Sequence, residues 1–518
     1  MPRPYDPRAS RRSVFDALID IAGATGWKKP VLEDQDRNPL SYLDLVRAAF
    51  ALGRKIAART EPGERVGVLL PTGAGVVVTF FALHAFGRVP VMLNFTAGLK
   101  NVVGACQVAG VNRVLCAHKF VEQAKIEPLT DLLARSVEVV WLEDVRASIG
   151  LPDRLLAAAA GAAPRLFRTK VEPDAPGVIL FTSGSFGTPK GVVLTHANLI
   201  ANVEQIASHI DLNRDWVFFN PLPTFHCFGL TAGVLLPMLT GSKGFQYPSP
   251  LHVKQIPPLV KDSGATVMFG TDTFIGQYAR VADPDQLSGL RFIVAGAEKV
   301  REETHRVFAD KFGGVMVLEG YGATEAAPVI AVNQPTGNRE GTVGALLPSV
   351  ETRLEPVDGI DGGGRLFVRG PNVMAGYIEK GAFHPTPLPG GWHDTGDVVS
   401  VGDDRVVTIL GRVKRFAKIG GEMVSLQAVE DIVAALWPDR KHAVVSMPDP
   451  RKGERLVLVT DHPEPDIAAL AAHAREQGAP ELAVPKKIVK VPDVPLLGSG
   501  KTDYPAVQRL AEGEPEAA

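Results

Sequence analysis

Short runs of consecutive apolar residues recur through the first four hundred positions: VGVLLP (66–71), GVIL (177–180), ATVMFG (265–270) and RFIVAG (291–296). Between them lie segments of helical period, such as VVVTFFALHAF, ANLIANVEQIASHI (197–210) and REETHRVFADKF (301–312). Fully apolar strands separated by helices predict parallel-rich sheets covered on both faces, hence an α/β class. Around 350–410 the texture changes to short strands and glycine turns, VETRLEPV, GRLFVRG and RVVTILG, a β-rich subdomain. After Gly411 comes a last segment with a helix, SLQAVEDIVAAL (425–436), apolar at Leu426, Val429, Val433 and Leu436. The strands AVVSMP and RLVLVTD follow it, which predicts a small α+β domain. No repeat period is visible, and the acidic tail EGEPEAA reads as disordered.

Two stretches without Asp, Glu, Lys or Arg, 66–87 and 217–242, meet the length of about 20 residues that a bilayer span needs. Pro71 and Gly73 interrupt the first, and Asn220, Pro221, Pro223 and Pro237 the second, so strand–turn–helix units are expected and no transmembrane segment. Arg11-Arg12 before SVF imitates an export signal, yet Asp16 and Asp20 break its apolar core, while Val14, Phe15, Leu18 and Ile19 form an amphipathic face. The expectation is a cytoplasmic protein with a frayed basic N-terminus. At 518 residues the chain exceeds the roughly 250–300 that one core sustains. With 55 basic against 57 acidic residues it shows no bias toward nucleic acid. Cys106, Cys116 and Cys227 form no pair or cluster with metal-ligand spacing, which fits a reducing compartment.

The strongest chemical signal is Thr182-Ser183-Gly184-Ser185-Phe186-Gly187-Thr188-Pro189-Lys190-Gly191, directly after an apolar run. Glycines let backbone N–H groups approach an anion, hydroxyls add donors, and lysine adds positive charge. By composition alone the segment is either a phosphate cradle or an ordinary glycine-rich turn. It has no Walker A register. Gly498-Ser499-Gly500-Lys501-Thr502 resembles the end of such a motif, but Pro495 stands where its first glycine belongs. Three further segments offer chemistry: Glu319-Gly320-Tyr321-Gly322-Ala323-Thr324-Glu325, Gly391-Trp392-His393-Asp394-Thr395-Gly396-Asp397, and Gly411-Arg412-Val413-Lys414-Arg415 with Lys418-Ile419-Gly420-Gly421-Glu422 after it. Singly, each is a solvated turn; in this order the combination is specific.

In that combination the chain resembles the adenylate-forming superfamily of acyl-CoA synthetases, peptide-synthetase adenylation domains and luciferases, over residues 13–510. The resemblance implies a large N-terminal domain, 1–411, and a small mobile C-terminal lid, 412–518. It implies that Thr182, Ser183, Gly184, Ser185, Gly187, Thr188 and Lys190 hold phosphate, although Phe186 stands where the family has a small or hydroxyl residue. Gly296, Ala297, Glu298, Gly320, Tyr321 and Gly322 would wall the adenine site, Thr324 would touch phosphate, and Glu325 with Thr182 would hold Mg²⁺. Asp397 and Arg412 would bind ribose, Lys414 would be the hinge, and Lys501 the catalytic lysine. Lys418, Gly420 and Gly421 would serve thioester formation, and His226 in PLPTFHCFG would lie beside the acyl pocket.

A narrower likeness is to the acyl-[acyl-carrier-protein] synthetase half of bacterial bifunctional acyltransferase/synthetase proteins, in MLNFTAGLKN (92–101), FTSGSFGTPKGVVLTHANLIANVEQI (181–206), FGTDTFIGQYAR (269–280) and VPLLGSGKTDYPAV (494–507). It implies activation of a fatty acid by ATP and transfer to holo-acyl carrier protein, with coenzyme A as the alternative acceptor and peripheral membrane contact left open. Two other classes compete. A hydrolase or acyltransferase would rest on His305 and Asp310, the sole HxxxxD; a non-catalytic adenylate-binding module would not need Lys501 and Glu325.

Overall fold

The computed structural model describes residues 4–182, 189–357, 360, 362–379, 382, 384–419, 422–450, 453–477, 479–497 and 501–513. They form two compact units. The first comprises Met1–Glu351 and Arg369–His393, the second Thr352–Val368 and Asp394–Ala518.

Two sheets build the first unit. In the larger, the strands Met316–Gly322, Phe292–Gly296, Val267–Gly270, Val217–Asn220, Lys243–Gln246 and Pro30–Asp34 run parallel, and antiparallel strands close both edges. In the other, Pro176–Thr182, Val89–Met92, Arg65–Val68, Arg113–Cys116 and Glu138–Trp141 run parallel. Lys190–Thr195 and Gly376–Ile378 extend that sheet antiparallel. The apolar runs are strands here because both faces are covered: Phe219, Phe245, Ile293 and Phe308 share one buried cluster, and Val91, Val114, Ile179 and Ile378 another. The α/β expectation holds.

The two uncharged stretches fold as strand and helix. The first gives Arg65–Val68 and the buried helix Ala74–Ala85. The second gives Val217–Asn220, an unforeseen π-helix Phe228–Leu235, and Leu236–Thr240. Two buried amides satisfy carbonyls of that wide helix: Asn220 Nδ2 donates to Gly229 O and Gln246 Nε2 to Gly233 O. Asn220 Nδ2 also donates to Gln246 Oε1 at 2.8 Å, which joins the pair. No described helix is long and apolar enough to cross a membrane.

The expected fraying of the basic N-terminus is corrected at Arg11 and Arg12; residues 1–3 lie outside the described residues. Arg11 pairs with Asp174 at 2.5 Å, and Arg12 bridges Asp20 at 2.7 Å and Glu204 at 3.2 Å. The basic pair is thus a tether, because Asp174 and Glu204, both distant in sequence, meet it.

In the second unit, Glu351–Glu355, Gly364–Arg369, His393–Val401 and Val407–Arg412 form a four-stranded sheet. A five-stranded sheet contains Phe416–Ile419, Glu422–Ser425, His442–Asp449, Gly453–Thr460 and Lys487–Lys490. Alternation along Gly453–Thr460 divides its core between two faces. Leu456 and Leu458 pack with Val429 and Val433 of the helix Leu426–Leu436. Val457 and Val459 pack with Val507 and Ala511 of the helix Tyr504–Glu512.

Candidate active site

Parallel sheets present their ligand-binding loops at the carboxyl ends of the strands, and most of the sequence-derived residues of the first unit lie there. Pro176–Thr182 and Lys190–Thr195 form a hairpin in which Thr182 stands opposite Lys190. Its connecting residues Ser183, Gly184, Ser185, Phe186, Gly187 and Thr188 lie outside the described residues. Lys190 is exposed, and its ammonium stands 5.3 Å from the centroid of the Tyr377 ring. The Tyr377 hydroxyl donates to Glu325 Oε1 at 2.8 Å. Pairing explains the approach: Gly376–Ile378 lies antiparallel to Lys190–Thr195, with Tyr377 opposite Val192. Glu325 is also fixed at its backbone, where its carbonyl accepts the Met374 N–H at 2.8 Å.

The segment before Glu325 is equally constrained. Gly296 and Gly320 are partners on adjacent parallel strands, and Tyr321 is buried opposite Ala331. At Gly322 an added Cβ would stand 2.2 Å from Pro328 O, so only glycine permits this approach. Thr324 and Glu325, both half-buried, occupy the short turn Thr324–Ala326. Ala327 after it is left-handed (φ 65°), as is Ala297 (φ 71°) beyond Gly296. Such strain in non-glycine residues gathers where surrounding structure over-determines the backbone. That structure is a set of buried amides: Asn372 Nδ2 donates to Ala326 O at 2.7 Å, and Asn202 exchanges two hydrogen bonds with Val329 at 2.8 and 3.0 Å. Glu298 is turned toward a helix start, its Oε2 accepting Thr273 N–H at 3.0 Å and Thr273 Oγ1–H at 2.8 Å.

His226 is half-buried next to Phe225, immediately before the π-helix. Within that helix Phe228 packs edge-on against Phe269, and a Cβ at Gly296 would lie 3.4 Å from its ring. The π-helix therefore leans on the end of the strand Phe292–Gly296. Burial pushes the Cys227 thiol up to about 12, against a hydrogen bond from Thr231, and the Glu325 charge adds to the rise. Burial likewise holds Cys106 and Cys116 at about 12. None of the three is poised as a nucleophile. His305, the HxxxxD candidate, is buried with Nε2 3.5 Å from Glu319 Oε1, while Asp310 is exposed. The two form no dyad.

In the second unit Asp397 and Arg412 are cross-strand partners, and Arg412 Nε stands 2.7 Å from Asp397 Oδ1. Asp397 is buried and Arg412 exposed, so the pair presents its cationic end to solvent. Lys414 is exposed in the turn Val413–Arg415. Lys418 is exposed on Phe416–Ile419, its N–H donating to Glu454 at 2.5 Å; Gly420 and Gly421 lie outside the described residues. The exposed Lys501 ends a loop closed by the Leu496–Thr502 bridge and by Leu497 N–H donating to Lys501 O at 2.7 Å.

Among the described residues no group of three or more His, Cys, Asp or Glu side chains could hold a metal. A single pinned carboxylate, Glu325, suits Mg²⁺, which takes one or two carboxylates and completes its shell with phosphate and water. Sequence reading missed Tyr377, Asn372 and Asn202. The signal for the first two was the run PNVMAGY (371–377), with Gly370 before it and Gly376 within it, whose partners lie far along the chain.

Lys190, at the end of a hairpin whose connecting sequence is rich in glycine and hydroxyls, shares the Tyr377 ring with a pinned carboxylate, an arrangement suited to an α/β enzyme that binds a nucleotide. Residues 20–378 match the model of the AMP-binding enzyme family, and the chain belongs to it. It is 30% identical over 479 residues to a feruloyl-CoA synthase of Amycolatopsis sp, covering 89% of this chain and 92% of that protein. It is 28% identical over 489 residues to a medium-chain fatty-acid–CoA ligase of Escherichia coli K12, covering 89% and 84%. Among solved structures, ATP-bound MatB from Rhodopseudomonas palustris matches with TM-score 0.80 and 23% identity over 96% of this chain and 99% of that one. That likeness establishes the fold. The expected superfamily is borne out; the two sequence relatives are a feruloyl-CoA synthase and a fatty-acid–CoA ligase, not carrier-protein synthetases.

Proposed function

We propose that the chain is an AMP-forming acid–thiol ligase acting on an apolar carboxylic acid. The acid's carboxylate attacks the α-phosphorus of ATP, giving acyl-AMP and pyrophosphate. A phosphopantetheine thiol then attacks the acyl carbonyl, AMP leaves with the bonding pair, and the thiol proton passes to solvent or to the leaving phosphate. The observation that carries this reading is Glu325, fixed by the Tyr377 hydroxyl while Lys190 lies over the same ring. The ring thus joins a cationic group suited to phosphate and a carboxylate suited to a cation. Displacement on a phosphate is mainly a matter of position and charge.

In this reading Thr182, Lys190 and the loop 183–188 hold the phosphates, and Thr324 contacts them. Glu325 and Thr182 hold Mg²⁺, which when bound neutralises phosphate charge. Gly296, Ala297 and Tyr321 flank adenine, Asp397 takes the ribose hydroxyls with Arg412 beside it, and His226 borders the acyl pocket. The boundary at 412 with Lys414 as hinge, Lys501 in adenylation, and Lys418, Gly420 and Gly421 in the thioester step complete the assignment. A fatty acid as substrate is supported by the medium-chain ligase among the relatives.

For the acceptor, coenzyme A is the better supported. The CoA-ligase relatives favour it, and several basic residues of the second unit, which an acidic carrier protein would need, are engaged within the chain. Arg415 is half-buried against Glu430, Lys441 pairs with Asp493 at 2.8 Å, and Lys487 donates to Ala511 O at 2.9 Å. Holo-acyl carrier protein remains the second reading, on the phrases quoted above. The test is ATP–pyrophosphate exchange across a panel of aliphatic and aromatic acids, then thioester formation with each acceptor at equal concentration. Exchange that requires an acid, and faster transfer to coenzyme A, is expected. Absence of exchange with every acid would refute the ligase reading; faster transfer to carrier protein would reverse the order of acceptors.

A further inference from the structure

Inside the second unit a buried polar cluster joins the turn that carries Lys414 to the helix that follows Lys501. The Arg415 side chain is 12% exposed and that of Glu430 9%, and Arg415 Nη2 stands 2.7 Å from Glu430 Oε2. Arg415 Nη1 donates to Val444 O at 2.7 Å, and the guanidinium carbon lies 3.7 Å from the centroid of the Tyr504 ring. The Tyr504 hydroxyl donates to the two Glu430 oxygens at 3.0 and 3.2 Å, and Val444 N–H donates to Glu430 Oε1 at 2.6 Å. Four elements meet here: the turn Val413–Arg415, the helix Leu426–Leu436, the strand His442–Asp449 and the helix Tyr504–Glu512.

A cluster of this kind is a poor source of stability. Taking an ion pair out of water costs about as much as the attraction returns, and well-packed apolar side chains of similar volume would serve as well. Burial pushes the Glu430 carboxyl up, against the pull of Arg415, Val444 N–H and Tyr504, so the cost is visible in the group itself. What apolar packing does not supply is direction. A guanidinium held on three sides and a carboxylate with three donors fix the relative orientation of the elements that carry them.

That orientation continues to Lys501 over few bonds. Tyr504 is the first residue of its helix, which Asp503 caps by accepting Ala506 N–H at 3.0 Å. Asp503 N–H in turn donates to Pro495 O at 2.9 Å, and Leu497 N–H to Lys501 O at 2.7 Å. The backbone of Lys501 is thus braced three residues from the Tyr504 ring, while its side chain is exposed.

We propose that Arg415, Glu430 and Tyr504 are positioning residues that lock the Lys414 turn to the Lys501 loop, so that turning at Lys414 carries Lys501 rigidly with the residues that follow that turn. The inference rests on the assignment of Lys501 to the adenylation step. Without the lock Lys501 would still be present, but its placement would be averaged over a wider arc, and a misplacement of about 1 Å can cost on the order of a hundredfold in rate.

The experiment measures the two half-reactions separately in the full chain: acid-dependent pyrophosphate exchange, and thioester formation from supplied acyl-AMP. Tyr504→Phe keeps the ring over Arg415 and deletes only the donor; Glu430→Gln keeps the shape and deletes the charge. Both should lower kcat of adenylation roughly tenfold or more, with KM for ATP and acid and the thioester step unchanged within about twofold. Neither should lower it further in a Lys501→Ala background, since groups that act through one another are non-additive. Equal loss in both half-reactions, or losses that multiply in the double variant, would overturn the lock in favour of a merely structural cluster. If Lys501→Ala alone adenylates normally, the assignment of Lys501 fails and the lock with it. If Lys501→Ala is inactive in adenylation and both other variants are unaffected, the lock alone fails.

Discussion

At the scale of single residues, the site is a matter of which side chain holds which. Glu325 was identifiable by its place after Tyr321 and Thr324, but the group that orients it was not, because Tyr377 reaches it from a strand 52 positions away. A hydrogen bond to one carboxylate oxygen limits the rotamers that a cation must select. Removing such an orienting partner typically costs about 10–100-fold in metal affinity. Tyr377→Phe should therefore raise the Mg²⁺ concentration needed for half-maximal pyrophosphate exchange by about tenfold, with melting temperature nearly unchanged. An unaltered Mg²⁺ titration would remove Tyr377 from the site.

At the scale of elements, the helix Val14–Thr25 docks on the helix His196–His209 through an imidazole. His196 Nδ1 accepts the Val14 N–H at 3.2 Å, and the His84 ring lies edge-on at 5.0 Å with its Nδ1 3.0 Å from Phe80 O. Burial holds His196 at about 4, against the pull of Asp16, and burial followed by His196 holds His84 well below its ordinary value. Both folded pKa values are depressed, so the stability they confer is present above about pH 6.5 and lost as pH falls toward 4, when the unfolded chain takes up protons that the folded one refuses. For His196 the loss approaches about 3 kcal/mol. Thermal melts between pH 7.5 and 5 should show the melting temperature falling, and His196→Gln should lower it at pH 7.5 but flatten its slope. An unchanged slope in the variant would show that acid sensitivity arises elsewhere. The amphipathic pattern of the first helix was legible in Val14, Phe15, Leu18 and Ile19, all buried; its neutral histidine anchor was not, since nothing local marks an imidazole as buried.

At the scale of the molecule, residues assigned to one reaction are divided between compact units, Glu325 in the first and Lys501 in the second. Lys501→Ala should lower the adenylation rate roughly 10²–10³-fold, the usual loss of one charge-stabilising group, and largely spare transfer from supplied acyl-AMP. Single-turnover measurement of each half-reaction checks this, and equal losses would argue against separate roles. The amino-acid order by itself determined what depends on neighbours in sequence. Apolar runs became strands at Phe292–Gly296 and Gly453–Thr460, helical periods became His196–His209 and Leu426–Leu436, and the loop after Thr182 was marked by composition. Only the tertiary structure decided what depends on approach across the chain: the π-helix held by Asn220 and Gln246, the hold of Tyr377 on Glu325, the tethering of Arg11 and Arg12, and the burial of Arg415 against Glu430 and Tyr504. Local pattern reports the period at which a segment buries its side chains, whereas the partner of a polar group is fixed by strand order and packing, which no window of the sequence contains.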